Sequence, residues 1–218
     1  MERYLKKLIA EGENQKVDFK YCVSDSRKIA RTLSAFANTD GGRLLIGVRD
    51  NGSIAGIRSD EEIYMVDTAA HIFCRPEISY IINQHITEGK TILEVEVTKA
   101  NSRPCQAMDE NGRWLSYFRH NDQNLLANRV LRQVWRKEEK RSGLLVKFGK
   151  AENLLMNYLA TNGSVSVSGF RKMAGIPVTR AEAILANLLL LKIIVMNASE
   201  KGIRYELNPD DPPDLKNF

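Results

Sequence analysis

Tyr4, Leu5, Leu8 and Ile9 fall on one helical face over residues 2–10, and Glu11-Gly12 ends that pattern, so a short amphipathic helix opens the chain. Residues 17–23 read as a strand. Asp25 or Ser26 then N-caps a helix that turns Ile29, Ala30, Leu33, Phe36 and Ala37 inward, and Asp40-Gly41-Gly42 breaks it. The apolar run over 44–48 suits a buried strand. The turn residues Asp50-Asn51-Gly52-Ser53 lead into 54–57 and predict a hairpin with Asp50 at its rim. Ile63, Val66, Ala70 and Phe73 predict a helix over 60–74, stopped by Pro76. Residues 78–86 and 91–98 alternate like strands joined by Thr87-Glu88-Gly89-Lys90, and 114–119 supplies a further strand.

Strands and helices therefore mix without a regular βαβ repeat. The pattern predicts an α+β domain over residues 1–122, a mixed or mostly antiparallel sheet with flanking helices. A basic helical linker follows over 123–149. Over 150–208, three apolar-periodic helices end in a hairpin around Glu200-Lys201-Gly202, the pattern of a small winged helix-turn-helix domain. The Pro- and Asp-rich tail over 209–218 is expected to be mobile.

The net charge of +5 over 218 residues matters once it is located. Positions 119–150 hold nine Lys or Arg (Arg119, Arg129, Arg132, Arg136, Lys137, Lys140, Arg141, Lys147, Lys150) against Asp122, Glu138 and Glu139. A solvated helix face and a phosphate-contacting face both fit such a run. Trp135 within it either stacks on a base or packs on the core. Cys22, Cys74 and Cys105 are widely spaced and indicate neither a disulfide framework nor a zinc ribbon. His71 and Cys74 lie one helical turn apart, but His85 and His120 complete no zinc set. The first residues lack the apolar core of a signal peptide, and nowhere do about 18 apolar residues run together, so a cytoplasmic protein with no membrane partner is expected.

Three ordered blocks carry more specific chemistry: Glu13-Asn-Gln-Lys-Val-Asp18-Phe-Lys20, then Ser34-Ala-Phe-Ala-Asn38-Thr39-Asp-Gly41-Gly42, then Leu45-Ile-Gly47-Val-Arg49-Asp50-Asn-Gly52. In these blocks the chain resembles the Schlafen/AlbA-like, or divergent AAA, family of DNA-binding domains. The resemblance implies nucleic-acid binding and, in some relatives, RNA cleavage. Glu13, Asp18 and Asp50 match the acidic triad of the Schlafen-type nucleases, with Asp18 standing where that pattern has Glu. In a nuclease these three would hold Mg or Mn, which generates hydroxide and stabilises phosphoryl charge. Outside an enzyme, Glu13 and Asp18 would cap or ion-pair and Asp50 would make an Asx turn.

Asn38, Thr39, Gly41, Gly42 and Gly47 match the family's structural motif; the glycines either approach a phosphate or terminate the preceding helix. Tyr117-Phe118-Arg119 looks like the family's Tyr-x-Arg element, and Arg119 either binds phosphate or pairs with an acid at the same rim. Gly89-Lys90-Thr91 mimics the end of a Walker A loop, but the following residues alternate like a strand, so a hairpin turn is expected and ATP is not.

The expected nucleic-acid contacts are Lys20, Arg49, Arg119, Arg129, Arg132, Arg136, Lys137, Lys172, Arg180, Lys201 and Arg204, with Arg180 and Asn187 as the base-reading side chains of the third C-terminal helix. The preferred reading is a cofactor-free nucleic-acid binder, DNA favoured over RNA, of the transcription-regulator kind. It would form a homo-oligomer through the C-terminal module. The alternatives are a metal-dependent RNA endonuclease and a protein-interaction or dimerisation module.

Overall fold

A computed structural model describes residues 2–139, 148–199 and 202–210 and divides the chain into two compact units, 1–127 and 128–218. The first unit runs α1 (Glu2–Glu11), β1 (Val17–Lys20), α2 (Ser26–Asn38), β2 (Gly42–Ile46), α3 (Glu61–His71), β3 (Cys74–Arg75), β4 (Tyr80–Thr87), β5 (Lys90–Val97), β6 (Gln106–Met108), β7 (Trp114–Leu115), β8 (Tyr117–His120) and β9 (Gln123–Leu126). Its main sheet has the order β1-β2-β5-β4; β1 and β2 run parallel and the other neighbours antiparallel, the expected mixed α+β architecture.

Both faces of this sheet are covered. Leu44, Ile46, Leu93, Val95 and Val97 pack under α2 and α3 with Ile29, Leu33, Phe36 and Val66, whereas Leu45, Val48 and Ile92 pack on the opposite side with Leu5, Leu8 and Ile9 of α1. The period-two alternation of a strand divides one apolar run between two cores. That is also why the predicted 44–57 hairpin is cut short. A run buried on both faces belongs in the middle of a sheet, and β2 takes β1 and β5 as neighbours; the hairpin shrinks to a reversal over 47–56, held by the Val48–Ile54 bridge and the backbone hydrogen bonds beside it.

The same alternation fixes Asp18. Val17 and Phe19 join the α1 core, so the residue between them turns under α2 and is 3% exposed. The α2 start is capped as expected, the Asp25 side chain accepting the Arg27 N–H at 2.9 Å. Its end is set by close packing. Gly41 takes φ +70° and donates its N–H to Phe36 O at 3.0 Å; a Cβ there would meet Val97 O at 2.6 Å, and one on Gly42 would meet the Phe36 ring at 2.4 Å. The strand expected over 114–119 splits into β7 and β8, which belong to different small sheets, and β6 and β9 are their unforeseen partners.

The second unit contains α4 (Arg129–Glu139), α5 (Lys150–Asn162), β10 (Ser164–Val165), α6 (Val167–Ala174), α7 (Val178–Leu190), β11 (Ile194–Ser199) and β12 (Gly202–Leu207). Leu155, Met156, Phe170, Leu185, Leu188 and Tyr205 form its core, and Val130 and Val134 of α4 join them, so this part of the basic segment packs inside the unit. A three-stranded antiparallel sheet, β10-β12-β11, closes it. Ser166 caps α6 by accepting the Gly169 N–H at 3.1 Å, and Gly175 ends it in the left-handed region at φ +63°. The chain then turns through 115° into α7. No single described helix is long and apolar enough to cross a membrane.

Candidate functional site

A cleft of about 540 Å³ opens in the first unit where β1 and β2 end, with the outer turns of α2 and the β8–β9 hairpin as its walls. Glu13, Asp18 and Asp50 all line it, so the three acids picked from sequence do meet at one place. Their states differ. Asp18 is neutralised from both sides: Oδ1 is 3.3 Å from Arg119 Nη1, and Oδ2 is 3.0 Å from Lys20 Nζ and accepts the Thr32 hydroxyl at 3.2 Å. Glu13 accepts the Phe19 N–H at 2.9 Å, and burial, followed by a hydrogen bond shared with Asp18, raises its carboxyl above the usual range. Asp50 is exposed at the mouth. Asn51, not Asp50, makes the Asx turn, its side chain accepting the Ser53 N–H at 3.0 Å.

Arg119 corrects the phosphate-binding expectation. Only 2% exposed, it spends Nε on Asn14 O (3.1 Å), Nη1 on Asp18 and on Asn124 Oδ1 (3.0 Å), and Nη2 on Val17 O (2.9 Å). Its own backbone N–H is fixed by Thr39 Oγ1 at 2.9 Å. A guanidinium with its donors committed inside the fold positions Asp18 and is not offered to a phosphate. Asn38 is likewise structural: Nδ2 reaches Cys105 O and Tyr117 O, each at 2.8 Å, and Oδ1 accepts the Cys105 N–H at 2.7 Å, joining α2 to the β8 wall. Gly47 lets the 55–57 segment approach, since a Cβ there would lie 2.8 Å from Gly56 C.

Among the described residues, no group of three or more His, Cys, Asp or Glu is arranged to hold a metal. Asp18, the buried member of the triad, already serves two cations, and their charge opposes a third. His71 pairs with Asp67 and His85 with buried Glu94 (2.7 Å), while burial pushes the Cys74 thiol up to about 12. Gly89 lies in the β4–β5 turn with φ +69°, the expected hairpin in place of a nucleotide-binding loop.

The cations fall into two sets. Arg27, Lys28 and Arg31 stand exposed on the outer face of α2 at the cleft wall. Sequence reasoning missed them, although they occupy the helical face opposite Ile29, Leu33 and Phe36 and a helical wheel displays them. Arg49 lies at the same end, its guanidinium 4.8 Å from the Tyr21 ring centroid. In the second unit Lys172 and Arg180 are exposed beside the α6–α7 turn, together with Arg171. Arg204, on β12, donates to Ser164 Oγ (2.8 Å) and O (2.9 Å).

The α4 cations are partly committed. Arg129 Nε lies 3.8 Å from Glu182, Arg132 is half-buried, Arg136 is exposed, and Lys137 donates to Asn187. Burial lowers the Lys137 pKa. Asn187 is thereby occupied by α4, which removes it as a base reader, and Trp135 is buried at 4% exposure and unavailable for stacking. Lys201, Lys140, Arg141 and Lys147, with the 211–218 part of the tail, lie outside the described residues.

A family model described as Schlafen, AlbA_2 matches residues 13–128, more than half of the chain. No curated protein matches. Among solved structures, the DIP2311 protein from Corynebacterium diphtheriae is similar at 18% identity over 72% of this chain and 37% of that one, with a TM-score of 0.47. The N-terminal domain of a RecG-related protein from Nitrosomonas europaea is similar at 22% identity over 57% of this chain and 95% of that one, with a TM-score of 0.39. The chain spans little more than a third of the length of the Corynebacterium protein.

Proposed function

The chain belongs to the Schlafen AlbA_2 family, and from that premise we propose that it is a nucleic-acid-binding protein, with DNA the favoured ligand and a transcription-regulator-like role. The observation that carries this reading is the junction of α6 and α7: two helices turned by 115° across residues 175–177, followed by the β11–β12 hairpin. A helix-turn-helix joins its helices at about 90–120° through three or four residues, often with Gly, and the hairpin would serve as the wing. Such a motif reads base edges with the first residues of its second helix. Val178, Thr179 and Arg180 are exposed there, with Arg171 and Lys172 placed for flanking phosphates. Arg27 and Lys28 give the first unit a second basic face, beside Arg31, whose Nη2 donates to Asn124 O at 2.9 Å.

The test is fluorescence anisotropy of labelled duplex DNA with the full chain over a KCl series. Affinity should fall linearly on a log–log plot, and R171A/K172A should flatten the slope by about 2 if each contacts one phosphate. Arg180→Ala should level preferences among sequences. Binding that ignores salt, or a mass that rises with concentration while DNA stays free, would replace this reading with the interaction module.

The meeting of Glu13, Asp18 and Asp50 in one cleft favours a second reading, the metal-dependent endoribonuclease. The commitment of Asp18 to Lys20 and Arg119 weighs against it. Transfer RNA incubated with manganese or chelator should remain intact in both; cleavage abolished by Asp18→Ala and Asp50→Ala would establish the enzyme.

A further inference from the structure

Tyr21 follows the last residue of β1, and Arg49 lies three positions past the end of β2. Because these strands are parallel with Lys20 opposite Ile46, their carboxyl ends lie side by side; Lys20 O accepts the N–H groups of Gly47 at 2.8 Å and Val48 at 3.4 Å. The chain then doubles back. Arg49 donates its N–H to Ser53 O at 3.0 Å, Ala55 and Gly56 donate to Gly47 O at 2.8 and 2.9 Å, and the returning segment delivers Arg58. As a result, the guanidinium carbons of Arg49 and Arg58 lie 4.8 and 5.1 Å from the Tyr21 ring centroid.

All three side chains are exposed, Tyr21 by 40%. Neither arginine has an ion pair with a carboxylate among the described residues. Glu62, the acid whose field reaches Arg58, is buried and spends its oxygens on the backbone N–H groups of Val23 and Arg58, each at 2.7 Å. One arginine over a tyrosine is an ordinary cation–π contact. Two at one phenol, without a carboxylate, repel each other and concentrate positive charge where an anion relieves it.

We propose that Tyr21, Arg49 and Arg58 form a phosphate-binding subsite that takes one phosphate of a nucleic-acid strand. Two guanidinium forks and one phenol O–H match the acceptor oxygens of a phosphate. The position fits as well, because crevices outside the carboxyl ends of parallel strands are where open sheets bind ligands. Lys20 and Asp50, the sequence neighbours of Tyr21 and Arg49, line the cleft, so a strand anchored here continues into it. The subsite rests on the nucleic-acid-binding reading above, and the phosphate is either internal to a strand or terminal.

The experiment compares the full chain with R49A/R58A and Tyr21→Phe, each first shown by circular dichroism to melt like the unmodified chain. Labelled single-stranded oligonucleotides carrying a 5′-phosphate or a 5′-hydroxyl are titrated over a KCl series. The double variant should lose at least about tenfold in affinity, and its salt slope should shrink by about 0.7, the release expected for one single-strand phosphate. Tyr21→Phe should lose about two- to tenfold, as expected for one net hydrogen bond. Loss with both oligonucleotides identifies an internal phosphodiester, and loss confined to the 5′-phosphate advantage identifies a terminal one. Unchanged affinity and slope in the double variant overturn the subsite and leave nucleic-acid binding standing. If the unmodified chain binds neither strand, the duplex titration above still decides the nucleic-acid-binding reading, and inorganic phosphate decides the subsite alone: arginine Nε shifts present only with Arg49 and Arg58 support it, and their absence overturns it.

Discussion

Arg119 and Arg180 are the same residue type in opposite situations. In the first unit the guanidinium is 2% exposed, laid between β1 and the β8–β9 hairpin, and used up by Asp18, Asn14, Val17 and Asn124. In the second it stands exposed on the first turn of α7. Charge counted along a sequence treats the two alike. What separates them is whether the surrounding fold supplies acceptors, and only a cation without internal acceptors is free to meet a phosphate.

That contrast is most sharply tested by deletion. Arg119→Ala leaves Asp18 buried with only Lys20 opposite it and should destabilise the chain by about 3–5 kcal/mol, read from urea unfolding. Arg180→Ala should stay within about 0.5 kcal/mol in the same measurement. Equal effects would erase the distinction. A smaller difference is expected between glycines. Gly41→Ala combines left-handed strain with a contact at 2.6 Å to Val97 O, and should cost about 1–3 kcal/mol more than Gly175→Ala, which has strain but nothing within 4 Å of its Cβ.

The smallest effect belongs to Glu13. Its carboxyl is raised in the folded state, by burial first, so the folded chain holds its proton more tightly than the unfolded one. The stabilisation is full below the ordinary value of 4.5 and fades as pH rises through the folded value. Glu13→Gln should therefore gain stability relative to the unmodified chain as the pH is raised from 4 to 7. Parallel curves over that range would show that folding does not raise the Glu13 carboxyl.

Much of the fold was legible in the chain because it is periodic. The Ile29–Leu33–Phe36 stripe, the 78–98 hairpin and the three C-terminal helices with their hairpin all follow local patterns that the structure keeps. The strand order was not legible. Leu44–Ile46 is apolar on both faces, which announces burial without naming its neighbours. β9, with Gln123 and Asn124, has no apolar alternation to mark it. At the site, the blocks around Glu13, Asp18 and Asp50 did identify the cleft. That Arg119 pairs with an acid at the rim was one of its two readings; that the acid is Asp18 was hidden, because the pair joins residues 101 positions apart and leaves no local trace. The Arg27, Lys28 and Arg31 face was present in the sequence and was obscured by weighing charge by density along the chain instead of by helical face.

That long-range pair also has a consequence for how the protein is made. Asp18 emerges from the ribosome about a hundred residues before the guanidinium that neutralises it. Until Arg119 arrives, β1 places under α2 a carboxylate held on one side only, by Lys20 and the Thr32 hydroxyl. The cleft is accordingly the last part of the first unit to be completed during synthesis, and a nascent chain stalled short of β8 carries the helices and central strands of the domain without its site.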